Sequence, residues 1–231
     1  MSIKSILVTG ASRGIGHAIA EKLSKDGHSL YMICKKNTNL MSDIPGRCFT
    51  GDVADHDFIR EVFSGIPRID VLINNAGISY TGLLQDMTKE EWDKVISVNL
   101  SSIYNTCHFA SAMMVRQHSG KIINISSVWG EHGASMEVAY SASKGGVNAF
   151  TKALARELAP SGIQVNAISC GFIDTDMNNI YSEEERSLIM EDIPSGRFGE
   201  AAEVADLVSL LIDAPSYLTG QIIGLDGGWM L

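Results

Sequence analysis

Tyr140 and Lys144 stand four residues apart in Tyr140-Ser-Ala-Ser-Lys144, so on a helix they share one face. A free phenol, with a pKa of about 10, is a poor acid–base catalyst at neutral pH. A neighbouring ammonium favours phenolate, so Lys144 is expected to lower the Tyr140 pKa toward the working range. Thirteen residues before Tyr140, Ser127 ends the apolar run that leads into Ile125-Ser-Ser-Val-Trp129. Its hydroxyl can hydrogen-bond a carbonyl oxygen that Tyr140 protonates. A lone YxxxK is also an ordinary surface helix pair; the strand-end serine is what favours the chemical reading.

A second group of residues is suited to holding an anion. Thr9-Gly10-Ala-Ser12-Arg13-Gly14-Ile15-Gly16 follows an apolar run and opens a helical pattern. A glycine-rich strand-to-helix turn lets the backbone approach a pyrophosphate at the positive end of the helix dipole. The glycines are spaced GxxxGxG rather than GxGxxG, and it is their position after the first strand that makes the signal strong. A site for NAD places an acidic residue about 20 positions on, at the end of the second strand. Here Cys34-Lys35-Lys36-Asn37 stands there instead. Arg13 and Lys35, with no carboxylate beside them, suit a 2′-phosphate, so NADP(H) is the expected cofactor. Gly51-Asp52-Val53 and Asn74-Asn75-Ala76-Gly77 close two further strands. They bring Asp52, Val53, Asn75, Ala76 and Gly77 to the same face, with Asp52 able to accept from an adenine amine.

The elements that must position these groups alternate regularly. Seven strand-like runs are expected at 5–9, 29–34, 47–50, 71–74, 121–126, 164–168 and 221–225. Helical periodicity covers 15–25, 55–65, 88–118, 138–159 and 200–213. Strands apolar throughout, separated by helices, imply a parallel sheet covered on both faces. The expectation is an α/β chain, a single-domain doubly wound Rossmann fold with a seven-stranded parallel sheet. No linker, repeat or low-complexity stretch divides residues 1–231. The irregular zone at 171–198, with its short charged helix, is read as a lid over the pocket.

Composition removes several classes of function. The chain has 231 residues, 18 Lys and Arg against 27 Asp and Glu, a net charge of −9, and 45% hydrophobic residues. That apolar content is too high for disorder. The acidity argues against nucleic acid and anionic membrane as partners. No apolar run approaches the roughly 18 residues of a membrane span, and Met1 to Gly10 does not read as a secretory signal. Cys34, Cys48, Cys107 and Cys170 show no CxxC and no paired His, as expected of reduced thiols in a cytoplasmic protein. The six His show no ligand spacing, so no metal site is expected. Asn99 and Asn124 match the glycosylation pattern but fall inside expected elements.

The motifs TGASRGIG, NNAG, SVNLSS, NISSVWG, YSASK and GFIDTDM, spread from Ile6 to Trp229, resemble those of the short-chain dehydrogenase/reductase family. The similarity is greatest to its bacterial 3-oxoacyl-(acyl-carrier-protein) reductase branch. The resemblance implies that Tyr140 is the general acid of ketone reduction, that Lys144 also binds the nicotinamide ribose, and that Ser127 orients the carbonyl. It implies that Asn99 holds a water linking Lys144 to solvent. Ile173 would pack near the nicotinamide, and Thr175 would contact the cofactor's nicotinamide or phosphate side. A homotetramer is implied, with the helices at 88–118 and 138–159 in one interface. So are a 3-oxoacyl thioester substrate, an acyl carrier protein partner and a role in fatty acid biosynthesis.

Three departures from the family pattern qualify this. Cys170 stands where the family has Pro, which is expected to loosen the strand end. The 35–51 connection is short, with 37–45 expected as loop or a single turn. Arg116, His118 and Lys121 are the basic residues expected to flank the cleft, a thin rim that counts against an acidic carrier. His132 near Trp129 and Met136 reads equally as pocket mouth or surface, and Met177, Ile180 and Tyr181 as an apolar acyl pocket. Two competing readings remain: a reductase of another carbonyl (a small ketone, sugar, steroid or modified lysine side chain), and a dinucleotide-sensing regulator without catalysis.

Overall fold

In the computed structural model, which describes residues 2–36, 42–178 and 181–230, every expected strand is present within a few residues of its expected ends. The strands are β1 (Ser5–Thr9), β2 (Ser29–Cys34), β3 (Arg47–Thr50), β4 (Val71–Asn74), β5 (Gly120–Ser127) and β6 (Ile163–Cys170). A short β7 (Ile173–Asp174) and β8 (Gly199–Glu200) pair apart from the main sheet, and β9 (Ile222–Leu225) forms its far edge. The seven-stranded sheet has the order β3-β2-β1-β4-β5-β6-β9, all pairs parallel. Order reverses between β1 and β4, which opens the crevice above their carboxyl ends.

The helices are α1 (Gly14–Lys25), α2 (His56–Ser64), α3 (Lys89–Ile96), α4 (Ser102–Gln117), α5 (Trp129–His132), α6 (Val138–Leu158), α7 (Glu183–Asp192) and α8 (Ala201–Asp213). α1 and α8 cover one face of the sheet with a core built on Ile19, Leu23, Met32, Ile73, Val204 and Val208. α2, α4 and α6 cover the other, around Leu7, Ile33, Leu72, Met114, Val147 and Val165. Strands buried on both faces need no polar alternation, which is why β1 and β4 are apolar almost throughout. β6, buried at every position, ties its Asn166 side chain to the Leu218 carbonyl. The result is one doubly wound domain of Rossmann type. Among the described residues, no helix is long and apolar enough to cross a membrane, and no group of three His, Cys, Asp or Glu is placed to hold a metal ion.

The single helix expected over 88–118 is two helices joined by a π turn at Ser97–Ser101. Thr88 and Glu91 start α3 with a reciprocal capping box. The wider turn sets Asn99 inward, completely buried, rather than along an ordinary helical face. Asn124 is equally buried, so neither asparagine is a surface acceptor. In the short connection after β2, residues 42–46 form turns; the rest of the expected loop, 37–41, lies outside the described residues.

Candidate active site

β1 delivers the chain into the glycine-rich turn, and two of its glycines are required by close approach. Gly10 has φ +68°, and a Cβ there would lie 2.9 Å from the Ala76 backbone. A Cβ on Gly16 would lie 2.2 Å from the Gly10 carbonyl oxygen. Thr9 Oγ1 accepts from the Asn75 and Ala76 amides at 3.0 and 3.1 Å. The Asn75 side chain in turn donates to the carbonyls of Thr9 and Gly10 at 3.0 and 3.2 Å. The NNAG stretch is therefore the brace of the phosphate turn. Arg13 occupies the N-cap of α1 but makes no side-chain cap bond, which leaves the first-turn N–H groups open to an anion.

From this turn a cavity of about 640 Å³ runs along the carboxyl ends of the strands to Tyr181. Gly10, Ser12, Arg13, Ile15, Lys35, Asp52, Val53, Asn75, Ala76, Gly77, Ser127, Tyr140, Lys144, Ile173 and Thr175 all line it. Gly14, Gly16 and Asn99 stand behind its wall instead of on it. An elongated cleft with a glycine cradle that side chains would fill fits a dinucleotide laid across the sheet. At the adenine end, Lys35 Nζ is 2.5 Å from Asp52 Oδ2. The expected isolated cation is thus half of an ion pair, and among the described residues Arg13, Lys36 and Lys94 are the other cations lining that part of the cavity.

At the opposite end α6 brings Tyr140 and Lys144 together as their spacing requires. Lys144 Nζ donates to the Ile125 carbonyl at 2.8 Å and lies 5.6 Å from the Tyr140 ring centre. The Tyr140 hydroxyl is hydrogen-bonded to Ser127. Ser127 Oγ also accepts from the Trp129 amide at 3.2 Å, which fixes it at the end of β5. Asn99 Oδ1 accepts from the Ile78 amide at 2.9 Å, and its Nδ2 donates to the Ile78 carbonyl and Ser143 Oγ at 2.9 and 3.0 Å. Ser143 donates on to the Tyr140 carbonyl at 2.7 Å. Asn99 therefore ties the NNAG loop to the helix that carries Tyr140.

The electrostatics differ from the sequence expectation. Burial, reinforced by the nearby Glu137 carboxylate, pushes the Tyr140 phenol above its ordinary value, and the Ser127 hydrogen bond only partly offsets this. Lys144 does not produce the expected lowering. Burial instead acts on Lys144 itself, holding its ammonium down at about 8. Both shifts have the same largest cause: loss of solvent disfavours the charged form of each group.

Several other expectations are corrected by the topology. Lys121 lies at the amino end of β5, away from the cleft, donating to the carbonyls of Leu211 and Ala214. Arg116 and His118, at the end of α4, share that far side, because in a β–α–β unit the helix ends where the next strand begins. They form no rim at the site. Cys170 is in register with both Ser127 and Leu225, so the strand end is held from two sides without a proline. Burial raises its thiol to about 12, which removes the reactive thiolate. Met177 and Tyr181 line the cavity, His132 is exposed and does not, and Ile180 lies outside the described residues. Glu137 and Ser79 also line the cavity and were missed. The one available signal was the spacing of Glu137, three residues before Tyr140.

The doubly wound sheet, its glycine-rich first turn and the Ser–Tyr–Lys cluster define a Rossmann-type oxidoreductase acting between an alcohol and a carbonyl. The short chain dehydrogenase model matches residues 4–186, and the chain belongs to that family. It is 41% identical over 239 residues to 3-oxoacyl-[acyl-carrier-protein] reductase FabG of Staphylococcus aureus, with 97% of each chain covered. The FabG of Thermotoga maritima is 40% identical, covering 99% of this chain and 98% of that protein. The crystal structure of a putative gluconate dehydrogenase from Agrobacterium tumefaciens superposes with a TM-score of 0.93 at 32% identity, covering 98% and 95% of the two chains. The family uses a nicotinamide dinucleotide.

Proposed function

We propose that this chain is an NADPH-dependent reductase that converts a ketone to a secondary alcohol, with a 3-oxoacyl thioester as the substrate class suggested by its FabG relatives. The observation that carries the reading is the convergence of Ser127, Tyr140 and Lys144 at one end of a cavity whose other end is the glycine-rich turn. NADPH, when bound, supplies the hydride to the carbonyl carbon. Tyr140 donates its phenolic proton to the carbonyl oxygen, and the Ser127 hydroxyl holds that oxygen in place. The raised Tyr140 pKa suits a group that must stay protonated until the carbonyl arrives. The Lys144 ammonium then favours the phenolate left by transfer, and a water held at Asn99 would return the proton from solvent.

Gly10, Ser12 and Arg13, with the open N-terminus of α1, would hold the pyrophosphate. Arg13 and Lys36 favour a 2′-phosphate, while Lys35 would need to leave Asp52 or share it. Ile173 and Thr175 would border the nicotinamide, and the 171–198 excursion would act as the lid. A homotetramer would use the helices at 88–118 and 138–159, and the exposed Tyr104 and His108 of α4, in a ring cluster with the partly buried His56 and Phe109, support contact through that region. Four free cysteines fit the reducing cytoplasm. A carrier protein would find no basic rim in Arg116, His118 and Lys121, so a free thioester is the simpler substrate. A second reading, a hydroxylated carbonyl compound, is favoured by the buried carboxylate of Glu137.

The test is NADPH oxidation with an acetoacetyl thioester, with and without carrier protein. Tyr140→Phe should reduce turnover at least about 100-fold, the scale of general acid catalysis, while NADPH binding persists. Substantial retained turnover would refute the mechanism, and a preference for NADH would refute the cofactor. Tight NADPH binding without turnover on any carbonyl would favour the regulator.

A further inference from the structure

Glu137 is a carboxylate inside the cavity that takes no direct part in the hydride or proton transfer. It immediately precedes α6, three residues before Tyr140, and both side chains line the cavity. Only 9% of it is exposed. Its position invites a capping role, yet its side chain makes no cap hydrogen bond to the first turn. No cation is paired with it among the described residues. Two neutral hydroxyls reach it: Ser79 Oγ, 3.4 Å from Oε2, and the Tyr181 hydroxyl.

A carboxylate offers about four acceptor positions, and the Ser79 bond is longer than the usual O–H···O range. Acceptor capacity is therefore left over, at a residue that lines the cavity next to the proton donor. Burying a carboxylate this way is unfavourable unless a donor completes its shell. A substrate with plain hydrocarbon beside its carbonyl would displace water from Glu137 and offer nothing in return. One with a hydroxyl there would replace the lost water. Glu137 and Tyr140 line the same cavity within electrostatic reach of one another, so the hydroxyl that Glu137 would meet lies close to the carbonyl that Tyr140 protonates.

We propose that Glu137 is a specificity-determining residue that accepts a hydrogen bond from a substrate hydroxyl adjacent to the reacting carbon, so that the cavity takes hydroxyketones, and the corresponding diols, ahead of plain ketones. The inference rests on the ketone-reductase reading and on no particular thioester. Ser79 and Tyr181, each able to donate and accept, extend the polar wall that such a substrate meets.

The experiment measures kcat/KM for NADPH oxidation by the full chain with pentan-2-one, 1-hydroxypentan-2-one and 3-hydroxypentan-2-one. The wild type, Glu137→Gln and Glu137→Leu are compared as ratios of hydroxyketone to plain ketone. Any general effect of the lost charge on Tyr140 divides out of that ratio. The wild type should prefer at least one hydroxyketone by about tenfold or more, and Glu137→Leu should remove most of that preference. Glu137→Gln, which keeps an acceptor oxygen but no charge, should fall between. A ratio near one in the wild type, or the same ratio within twofold in Glu137→Leu, overturns the proposal. NADPH titration shows whether each variant is folded; if Glu137→Leu is not, the wild-type and Glu137→Gln ratios decide. Brisk turnover with flat ratios defeats only the role of Glu137, whereas no turnover of these ketones or of an acetoacetyl thioester defeats the reductase reading and this inference with it.

Discussion

Replacing Asn99 with Ala removes a buried side chain that bridges the NNAG loop and the Tyr140 helix. Three hydrogen bonds are lost, two to the Ile78 backbone and one to Ser143. Each neutral bond contributes a net of about 1 kcal/mol. Ile78 is only partly buried, so its freed amide and carbonyl can find water and escape the full penalty of orphaned groups. Asn99 itself is completely buried, and the void left by its amide adds a smaller cost. The expected destabilisation is about 3 kcal/mol, which for a domain of this size lowers Tm by about 6–12 °C. Denaturant titration and thermal melts of the apoprotein measure it. The loop also carries Asn75 and Ala76 against the phosphate turn, so KM for NADPH should rise alongside the loss of kcat. A loss of stability below about 1 kcal/mol, with turnover within twofold of wild type, would show that Asn99 is not the bridge described.

Two further perturbations probe the other end and the buried pair. Gly16→Ala forces a Cβ to within 2.2 Å of the Gly10 carbonyl, so the phosphate turn must open, and NADPH Kd should rise at least about tenfold; titration by fluorescence measures this, and an unchanged Kd would refute the close-packing argument. Lys144, held near 8 by burial and near 10.5 when unfolded, binds fewer protons in the folded state between those values, so its contribution to stability rises with pH there. That Lys144 contribution is about 2 kcal/mol from pH 7.5 to 9.5 and is read as the difference between wild type and Lys144→Met, because the buried thiols of Cys107 and Cys170, both raised to about 12, lose stability over the same range as their unfolded forms ionise; from about pH 10 upward the raised Tyr140 adds to that loss.

Much of this molecule was legible because its signals are local. An apolar run flanked by turn residues marks β1 or β4 wherever the strand is placed, and parallel burial on both faces makes that run continuous. Tyr140 and Lys144 share a face through helical spacing alone, and Gly10 to Gly16 forms a phosphate turn because it joins a strand to a helix. The break in the helix at 97–101 was not legible. SVNLS is unremarkable as helical sequence, and its π turn is stabilised by what Asn99 reaches across the fold. Lys121 was misplaced for a related reason: its neighbours in sequence say nothing about which end of the sheet it occupies.

The sequence by itself therefore determined the fold class, the phosphate turn and the acid–base pair, since each depends on residue type and spacing within one or two elements. Tertiary structure alone decided which charges meet and which lose their water. Lys35 finds Asp52 across two strands, and Glu137 comes to lie against Ser79 and Tyr181. Tyr140 and Lys144 shift toward their neutral forms instead of activating one another. The physical reason is that desolvation depends on every element packed around a group, so spacing can place a charge on a face but cannot say how dry that face will be.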